Sequence, residues 1–543
     1  MIELKPYYVV SDRPDLKAEI VADLQSASGS DTIPNRIVEI TKPMPGSLHT
    51  VEAMLTDEEA ALLNTDDRIR IVEQDPILYK GIRKGRHASR TGNFSNDPRA
   101  TLATDRNYGL DRSTTSTNNF TTLYTSTNHT FNYNLDGTGV DIIVMDTGVE
   151  ASHPEFAVRA DGTGGTRVVN YDWTQHGIIT SAPTGGFLGD CEGHGSNCAS
   201  VAAGNTNGWA PGAAIYSLRI IGTGVSTEHD ITDGRILGLV DEMEAWQTIL
   251  AFHNSKSVTS TGYKRPTIVT CSYAYNDYYK AGKFTSCYYR GTTHSISTTT
   301  GVAATQYGTI GAPEGGDGSF GYRYTTIEAE IQSCINAGII VVAAAGNNAH
   351  KIDITFSGST GTDYNNYVLM TDQPGVPRPY HQGATPGSCP NVICVGALDN
   401  ELTSYDVKAY FSATGPRVDI FAPGSLIMGA WSSSSYITAA VQDPRNTTYW
   451  LNKISGTSQA TPQVTGVIAC LLQARPWMTA QQVQFWLKAA GLKGLMNEAG
   501  YVGSSLTSAW TTGTYTNLAS LQGGVNTILF QPFSLPNPLT LHG

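Results

Sequence analysis

Apolar positions along the chain fall into short, nearly continuous runs separated by glycine-rich and polar turns. Val140-Asp141-Ile142-Ile143-Val144-Met145 closes on Asp146-Thr147-Gly148, and Ile339-Ile340-Val341-Val342-Ala343-Ala344-Ala345 closes on Gly346-Asn347. Runs of this length and composition, bounded by turn signals, predict strands buried on both faces of a parallel sheet. Between them lie small-residue helical patterns. One begins at the turn Gly193-His194-Gly195 and runs through Cys198 to Ala203; another, Val464 to Leu472, follows the turn Ser455-Gly456-Thr457-Ser458. Strands and helices alternate in this way to about residue 495. The pattern predicts an α/β fold, a doubly wound and mostly parallel sheet with polar groups gathered at the strand ends.

The first 80 residues are patterned differently. An apolar start, Tyr7-Tyr8-Val9-Val10, two helical patterns (Leu16 to Gln25 and Asp57 to Leu63) and the strand Ile69-Arg70-Ile71-Val72-Glu73 predict a small α+β domain over 1–80. Lys80 to Arg90 is polar and aperiodic and reads as part of an exposed linker over 81–106. The large domain then spans 107–531, with an insertion at roughly 276–325 rich in Tyr, Thr and Gly, and 532–543 reads as an extended tail.

Composition narrows the field without choosing an activity. Acidic residues (47) outnumber basic ones (35), giving a net charge of −12 and no electrostatic footprint for nucleic acid or an anionic membrane. No apolar run approaches the roughly 20 residues needed to cross a bilayer. Met1-Ile2-Glu3-Leu4-Lys5-Pro6 lacks the layout of a signal peptide, so the compartment stays open. The eight cysteines show no paired metal spacing and read mostly as buried thiols, with Cys287–Cys334 and Cys389–Cys394 left open as bridges.

The chemistry-bearing residues sit at the ends of these runs. Ser458 stands where a helix begins, so unpaired backbone N–H groups and the positive end of the helix dipole surround its hydroxyl. That setting suits a nucleophile with a developing oxyanion beside it; most serines there are simply N-caps. Asp146 at a strand end, His194 in a glycine turn and Asn347 at another strand end each have an ordinary reading too, as cap or turn residues. Together, in the order Asp, His, Asn, Ser, they resemble the subtilisin-like serine proteases. Asp146-Thr147-Gly148-Val149 with Ser152-His153-Pro154, His194-Gly195-Ser196 with Cys198-Ala199, and Gly456-Thr457-Ser458 with Ala460-Thr461-Pro462 carry the resemblance. The chain order of the triad is that of subtilisin and not of chymotrypsin or the α/β-hydrolases.

The resemblance implies a serine endopeptidase acting on a protein or peptide substrate. His194 is the base, Asp146 its orienter, Ser458 the nucleophile, and Asn347 (or its neighbour Asn348) the side-chain oxyanion donor. Substrate is expected to lie against Ser272, Tyr273 and Ala274, with Ala344 and Gly346 nearby and Ser217, Leu218 and Arg219 on the other side. Thr56 to Leu63 with Ile71 to Asp75 looks like the tail of an inhibitor-type propeptide. This implies that the protein's own amino-terminal domain sits in the cleft and is cut off within the linker. The chain departs from the family at Tyr273-Ala274-Tyr275, where two glycines are usual, and at Asn197, where a second histidine is common. No cofactor is called for. Glu155 occupies a position that often binds calcium in relatives, and with no ligand loop recognisable elsewhere it reads here as a surface acid. His153 and His176 read as structural, and Asp190-Cys191-Glu192 as a cap on the His194 segment. Two other readings stay open: a latent or purely structural protein that keeps the protease fold within a larger assembly such as a virus particle, and a hydrolase of non-peptide esters.

Overall fold

The computed structural model describes residues 4–26, 32–74, 83–85, 107–118, 135–159, 161–222, 240–259, 262–279, 284–295, 318–355, 363–371, 374–400, 405–432, 440–498 and 521–531. The linker expected over 81–106 (except 83–85), residues 280–283 and 296–317 of the insertion and the tail 532–543 lie outside these described residues.

The amino-terminal residues form a four-stranded antiparallel sheet. β1 (Lys5–Ser11) lies between β3 (Thr50–Leu55) and β4 (Ile69–Glu73), and β2 (Ile40–Lys42) flanks β3. Helices α1 (Lys17–Leu24) and α2 (Asp57–Leu63) complete the unit. The Thr-x-x-Glu pattern at Thr56 and Glu59 makes a reciprocal capping box that starts α2. Val9, Ile20, Leu24, Val51, Leu55 and Leu63 belong to a core separate from that of the body. The short strand β5 (Arg83–Gly85) leaves this sheet and pairs with the body instead.

The body is built on nine strands. β6 (Asp141–Asp146), every residue of it buried, has β8 (Ala214–Arg219) on one side and β9 (Thr267–Cys271) on the other. β7 (Val168–Val169) lies beyond β8; beyond β9 follow Ile340–Ala344, Ile393–Leu398, Ile420–Pro423, Thr527–Ile528 and the antiparallel edge Leu492–Lys493. The remaining pairings are parallel. The chain moves from β6 to β8 and then returns to the opposite side as β9, so the strand order reverses beside β6. Such a reversal opens a crevice at the carboxyl ends of the strands. Helix α3 (His194–Ala203) starts at that end, α4 (Glu242–Ser255) and α5 (Thr325–Asn336) pack on one another, and α6 (Thr457–Ala474) runs across α3 and five strands of the sheet. After β9 the chain turns into β10 (Ala274–Tyr279), which pairs antiparallel with Gly318–Gly321 and with β5. Among the described residues no helix is long and apolar enough to cross a membrane.

The amino-terminal unit docks on α5 through polar contacts. Glu73 accepts hydrogen bonds from the backbone N–H (2.9 Å) and hydroxyl (2.6 Å) of Thr326, in the first turn of α5. Ser47 and Thr50 donate their hydroxyls to Glu330 farther along the same helix, the latter at 3.0 Å. Tyr8 and Met44 pack into the core of the body.

One expectation is corrected here. Glu155 is not a surface acid: it is fully buried, and donors reach both its oxygens, from Arg445 (2.6 Å), the Thr206 hydroxyl and the backbone N–H groups of Thr206 and Asn207. An internal guanidinium thus supplies the positive charge, and a carboxylate so engaged does not fit a calcium ion. The cysteines agree with the buried-thiol reading, and the two bridges left open do not form: all eight are free thiols, seven of them buried. Arg445 also pairs with the buried Asp443 at 2.6 Å, so Arg445→Ala strands two buried carboxylates. It is expected to destabilise the protein by about 3–5 kcal/mol, read as a lower Tm in thermal denaturation near neutral pH; an unchanged Tm refutes this account.

Candidate active site

β6 delivers Asp146 to the crevice, and the turn before α3 delivers His194. The imidazole Nδ1 lies 2.8 and 2.9 Å from the two carboxylate oxygens of Asp146. Both residues are buried, and among the described residues His194 Nε2 has no hydrogen-bond partner. The start of α3 is held by a relay of caps. Asp190 accepts from the backbone N–H groups of Glu192, Gly193 and Ser196 and from the Thr147 hydroxyl, and Thr147 Oγ1 in turn accepts from Gly195 N–H. Two glycines are required here for different reasons. Gly193 has φ 121° and a side chain would meet the Trp431 ring, while a Cβ on Gly195 would lie 2.1 Å from the Gly148 carbonyl oxygen.

Burial disfavours a charged His194, but the adjacent Asp146 carboxylate outweighs it and raises the imidazole pKa above its ordinary value. Cys198, one turn along α3, is a buried thiol whose pKa burial pushes up. Its Sγ lies 3.9 Å from His194 Nδ1 and 3.5 Å from the Ser458 carbonyl oxygen, so it bridges the two helix starts. Asp146, His194 and Cys198 are the three residues whose potential ligand atoms gather within 4.8 Å among the described residues. The Asp146–His194 hydrogen bond and a protonated thiol already use those atoms, so the cluster does not fit a metal centre.

Ser458 occupies the second position of α6. Pro462, inside the helix, has no N–H to return to the carbonyl four residues back. The Ser458 carbonyl oxygen is therefore left over, and it accepts from the Ser272 hydroxyl at 2.8 Å and from Cys198. The Ser458 hydroxyl donates to the Ser272 carbonyl oxygen at 2.9 Å. Asn347 Oδ1 accepts from Thr457 N–H (2.9 Å) and from its hydroxyl (2.8 Å), which orients the amide and turns Nδ2 the other way. A Cβ on Gly456 would sit 3.1 Å from Asn347 Nδ2 and 3.4 Å from the Ser458 backbone nitrogen. Gln459 Oε1, at 2.9 Å, is nearer still to that position, and glycine keeps the space beside these atoms free of a side chain.

Two backbone segments border the site. Ser272, Tyr273 and Ala274 join β9 to β10, and Ala344 to Gly346 leads to Asn347, with Gly346 N–H donating to the Thr457 hydroxyl at 3.2 Å. Ala274 pairs with Gly85 of β5, Tyr275 with Lys84 and Asn276 with Arg83. Ser217, Leu218 and Arg219 are placed differently from the expected second wall. Ser217 and Leu218 are buried; the Ser217 carbonyl accepts from Trp173 and its hydroxyl donates to Phe187, while half-buried Arg219 donates to the carbonyls of Thr184 and Gly189. His153 is a buried cap whose ring reaches the Trp450 carbonyl, and His176 bonds the Tyr171 hydroxyl. Sequence reasoning did not single out Thr147, Thr457 and Glu242. The first two stand beside motif residues and were within its reach; Glu242 has no local signal.

The chain matches the profile of the subtilase family, peptidase S8, over residues 137–523. It is 27% identical over 461 residues to an extracellular serine proteinase of Thermus sp. (strain Rt41A), covering 85% of this chain and 75% of that protein. It is 25% identical over 480 residues to alkaline serine exoprotease A of Vibrio alginolyticus, covering 88% of this chain and 61% of that one. A crystal structure of fervidolysin from Fervidobacterium pennivorans, a keratinolytic enzyme related to subtilisin, superposes with a TM-score of 0.52 at 17% identity, over 100% of this chain and 62% of that one. It shares the fold. The family's profile covers most of the chain, and the chain belongs to the subtilase family.

Proposed function

We propose that this protein is a serine endopeptidase that cleaves polypeptides through Asp146, His194 and Ser458. The observation that carries this reading is the buried Asp146–His194 pair, with its unpartnered Nε2, set beside the start of α6 through Cys198. In the reaction the Ser458 hydroxyl turns from the Ser272 oxygen toward His194 Nε2, which takes its proton as Oγ attacks the peptide carbonyl. Asp146 holds the ring and stabilises its charged form. The oxyanion forms between Asn347 Nδ2 and the Ser458 N–H. His194 then returns the proton to the leaving amine, and water releases the acyl group by the same steps in reverse. A fluorophosphonate probe is expected to label the wild type at Ser458 and to leave Ser458→Ala unlabelled; labelling of that variant refutes the assignment. Asn347→Ala is expected to keep the fold and lose about 10²–10³ in kcat, the range known for removing such a donor from subtilisin. Wild-type turnover in that variant removes Asn347 from the mechanism.

The same chain reads as a precursor held by its amino-terminal unit. In this reading the unit grips α5 through Glu73 and Glu330, and β5 lies along β10 as an extended substrate would. Self-cleavage then falls carboxyl-terminal to Gly85, and mass spectrometry of the mature amino terminus tests this. Burial pushes the Glu330 carboxyl up to about 7, against the lowering effect of the Ser47 and Thr50 hydroxyls and of Lys17. When the unit departs, water returns and the carboxyl falls toward its ordinary 4.5, so the docked form holds the extra proton. Docking is strongest below about pH 4.5, weakens as pH rises, and loses this contribution above about pH 7. Gel filtration after cleavage is expected to show the unit retained at about pH 5 and shed more readily at about pH 8, with the dependence flattened in Glu330→Gln. A pH-independent release in the wild type contradicts this.

A further inference from the structure

Tyr273 and Tyr275 stand on either side of Ala274, where the segment bordering Ser458 becomes β10. Two large side chains at the edge of a cleft ought to obstruct an incoming strand, yet both are buried, with exposures of 0% and 1%. Residues two apart on a strand share a face, and here that face is turned toward the first turn of α4. Glu242, the first residue of α4 and itself 1% exposed, receives both. Its Oε1 accepts from the Tyr273 hydroxyl at 2.7 Å and from Trp246 Nε1 at 3.1 Å, and its Oε2 accepts from the Tyr275 hydroxyl at 2.7 Å. A carboxylate at a helix start also lies at the favourable end of the dipole.

The backbone of Tyr275 is fastened as well. Its N–H donates to the Thr385 carbonyl at 3.1 Å, and its own carbonyl accepts from Tyr322 N–H at 3.0 Å. Ala274, with the smallest side chain of the three, alternates to the other face, and with Tyr275 and Asn276 it pairs with β5. A main chain that receives another strand must stay at a fixed height, because a displacement of about 1 Å in the bound peptide can cost 10²-fold in rate. Three convergent hydrogen bonds on one buried carboxylate provide that constraint where the two-tyrosine sequence removes the option of glycine.

We infer that Glu242 is a positioning residue: through Tyr273 and Tyr275 it sets the strand Ser272–Asn276 against which an extended polypeptide substrate is laid. This rests on the endopeptidase reading above. It assigns the residue no contact with the reacting atoms, so its effect must appear only with substrates long enough to pair with the strand.

The test compares the protein, made as the full chain and then cleaved and freed of its amino-terminal unit, with Glu242→Gln and with Tyr275→Phe, which removes one hydrogen bond without disturbing the carboxylate. Each is assayed on a single-residue ester and on a peptide amide with four residues before the scissile bond, alongside fluorophosphonate labelling and Tm. The expected result is a loss of roughly 10- to 100-fold in kcat/KM on the peptide, carried mainly by KM, with ester turnover and labelling within about threefold of the parent. Equal losses on ester and peptide, or unchanged kinetics on both, overturn the positioning role while leaving the endopeptidase reading intact. Should Glu242→Gln fail to fold, Tyr275→Phe decides by the same comparison. A parent protein that neither labels nor turns over either substrate once its amino-terminal unit has been removed overturns the endopeptidase reading, and this inference with it.

Discussion

Unpaired backbone N–H groups at the starts of two buried helices govern what surrounds them. α3 and α6 begin at the carboxyl ends of the central strands, where water has little access, so the first-turn amides need internal partners or a ligand. At α3 the partners are Asp190 and Thr147, which together take up the amides of Gly193, Gly195 and Ser196. At α6, Asn347 takes up Thr457 N–H. The first turns of both helices are thus tied to side chains from other segments, Asp190 and Thr147 at one and Asn347 at the other.

Buried charges obey a similar rule. Glu155 and Asp443 share Arg445, Asp406 takes both ends of the fully buried Arg112, and Asp141 pairs with Lys256 and Arg265. Each ion is expensive to bury alone and tolerable in company. Because the partners lie far apart in sequence, they fix the relative placement of segments that apolar packing alone would leave less specific. The Arg112–Asp406 pair ties the short helix at Gly109–Arg112 to the far side of the body.

The contact between the amino-terminal unit and the body is of another kind. It uses hydroxyls and carboxylates at a helix start and flank rather than a broad apolar face, with Glu73 capping α5 and Glu330 taking Ser47 and Thr50. Polar contacts of this sort respond to protonation and to water in a way that apolar ones do not. α5 packs on α4, and α4 carries Glu242, so the surface that receives the unit and the clamp beneath β10 are built on adjoining helices.

The sequence alone determined the parts whose signals are local. Continuous apolar runs announced a parallel sheet, the helical pattern Asp57 to Leu63 marked α2, and the small-residue turns around Asp146, His194 and Ser458 marked strand ends and helix starts. Those features rest on φ/ψ preferences and on burial of neighbouring residues, which a short stretch of chain carries within itself. What only the tertiary structure decided depends on residues distant in sequence. Glu155 was legible as an acid, not as an acid facing Arg445 across 290 positions. The departure at Tyr273 and Tyr275 was legible, but not that Glu242 receives both hydroxyls, nor that Ser217 is engaged by Trp173 and the Phe187 carbonyl. The preference of a single side chain gives no hint of such partners, because the energy of a buried hydrogen bond or ion pair belongs to two groups at once, and only folding brings the second one near.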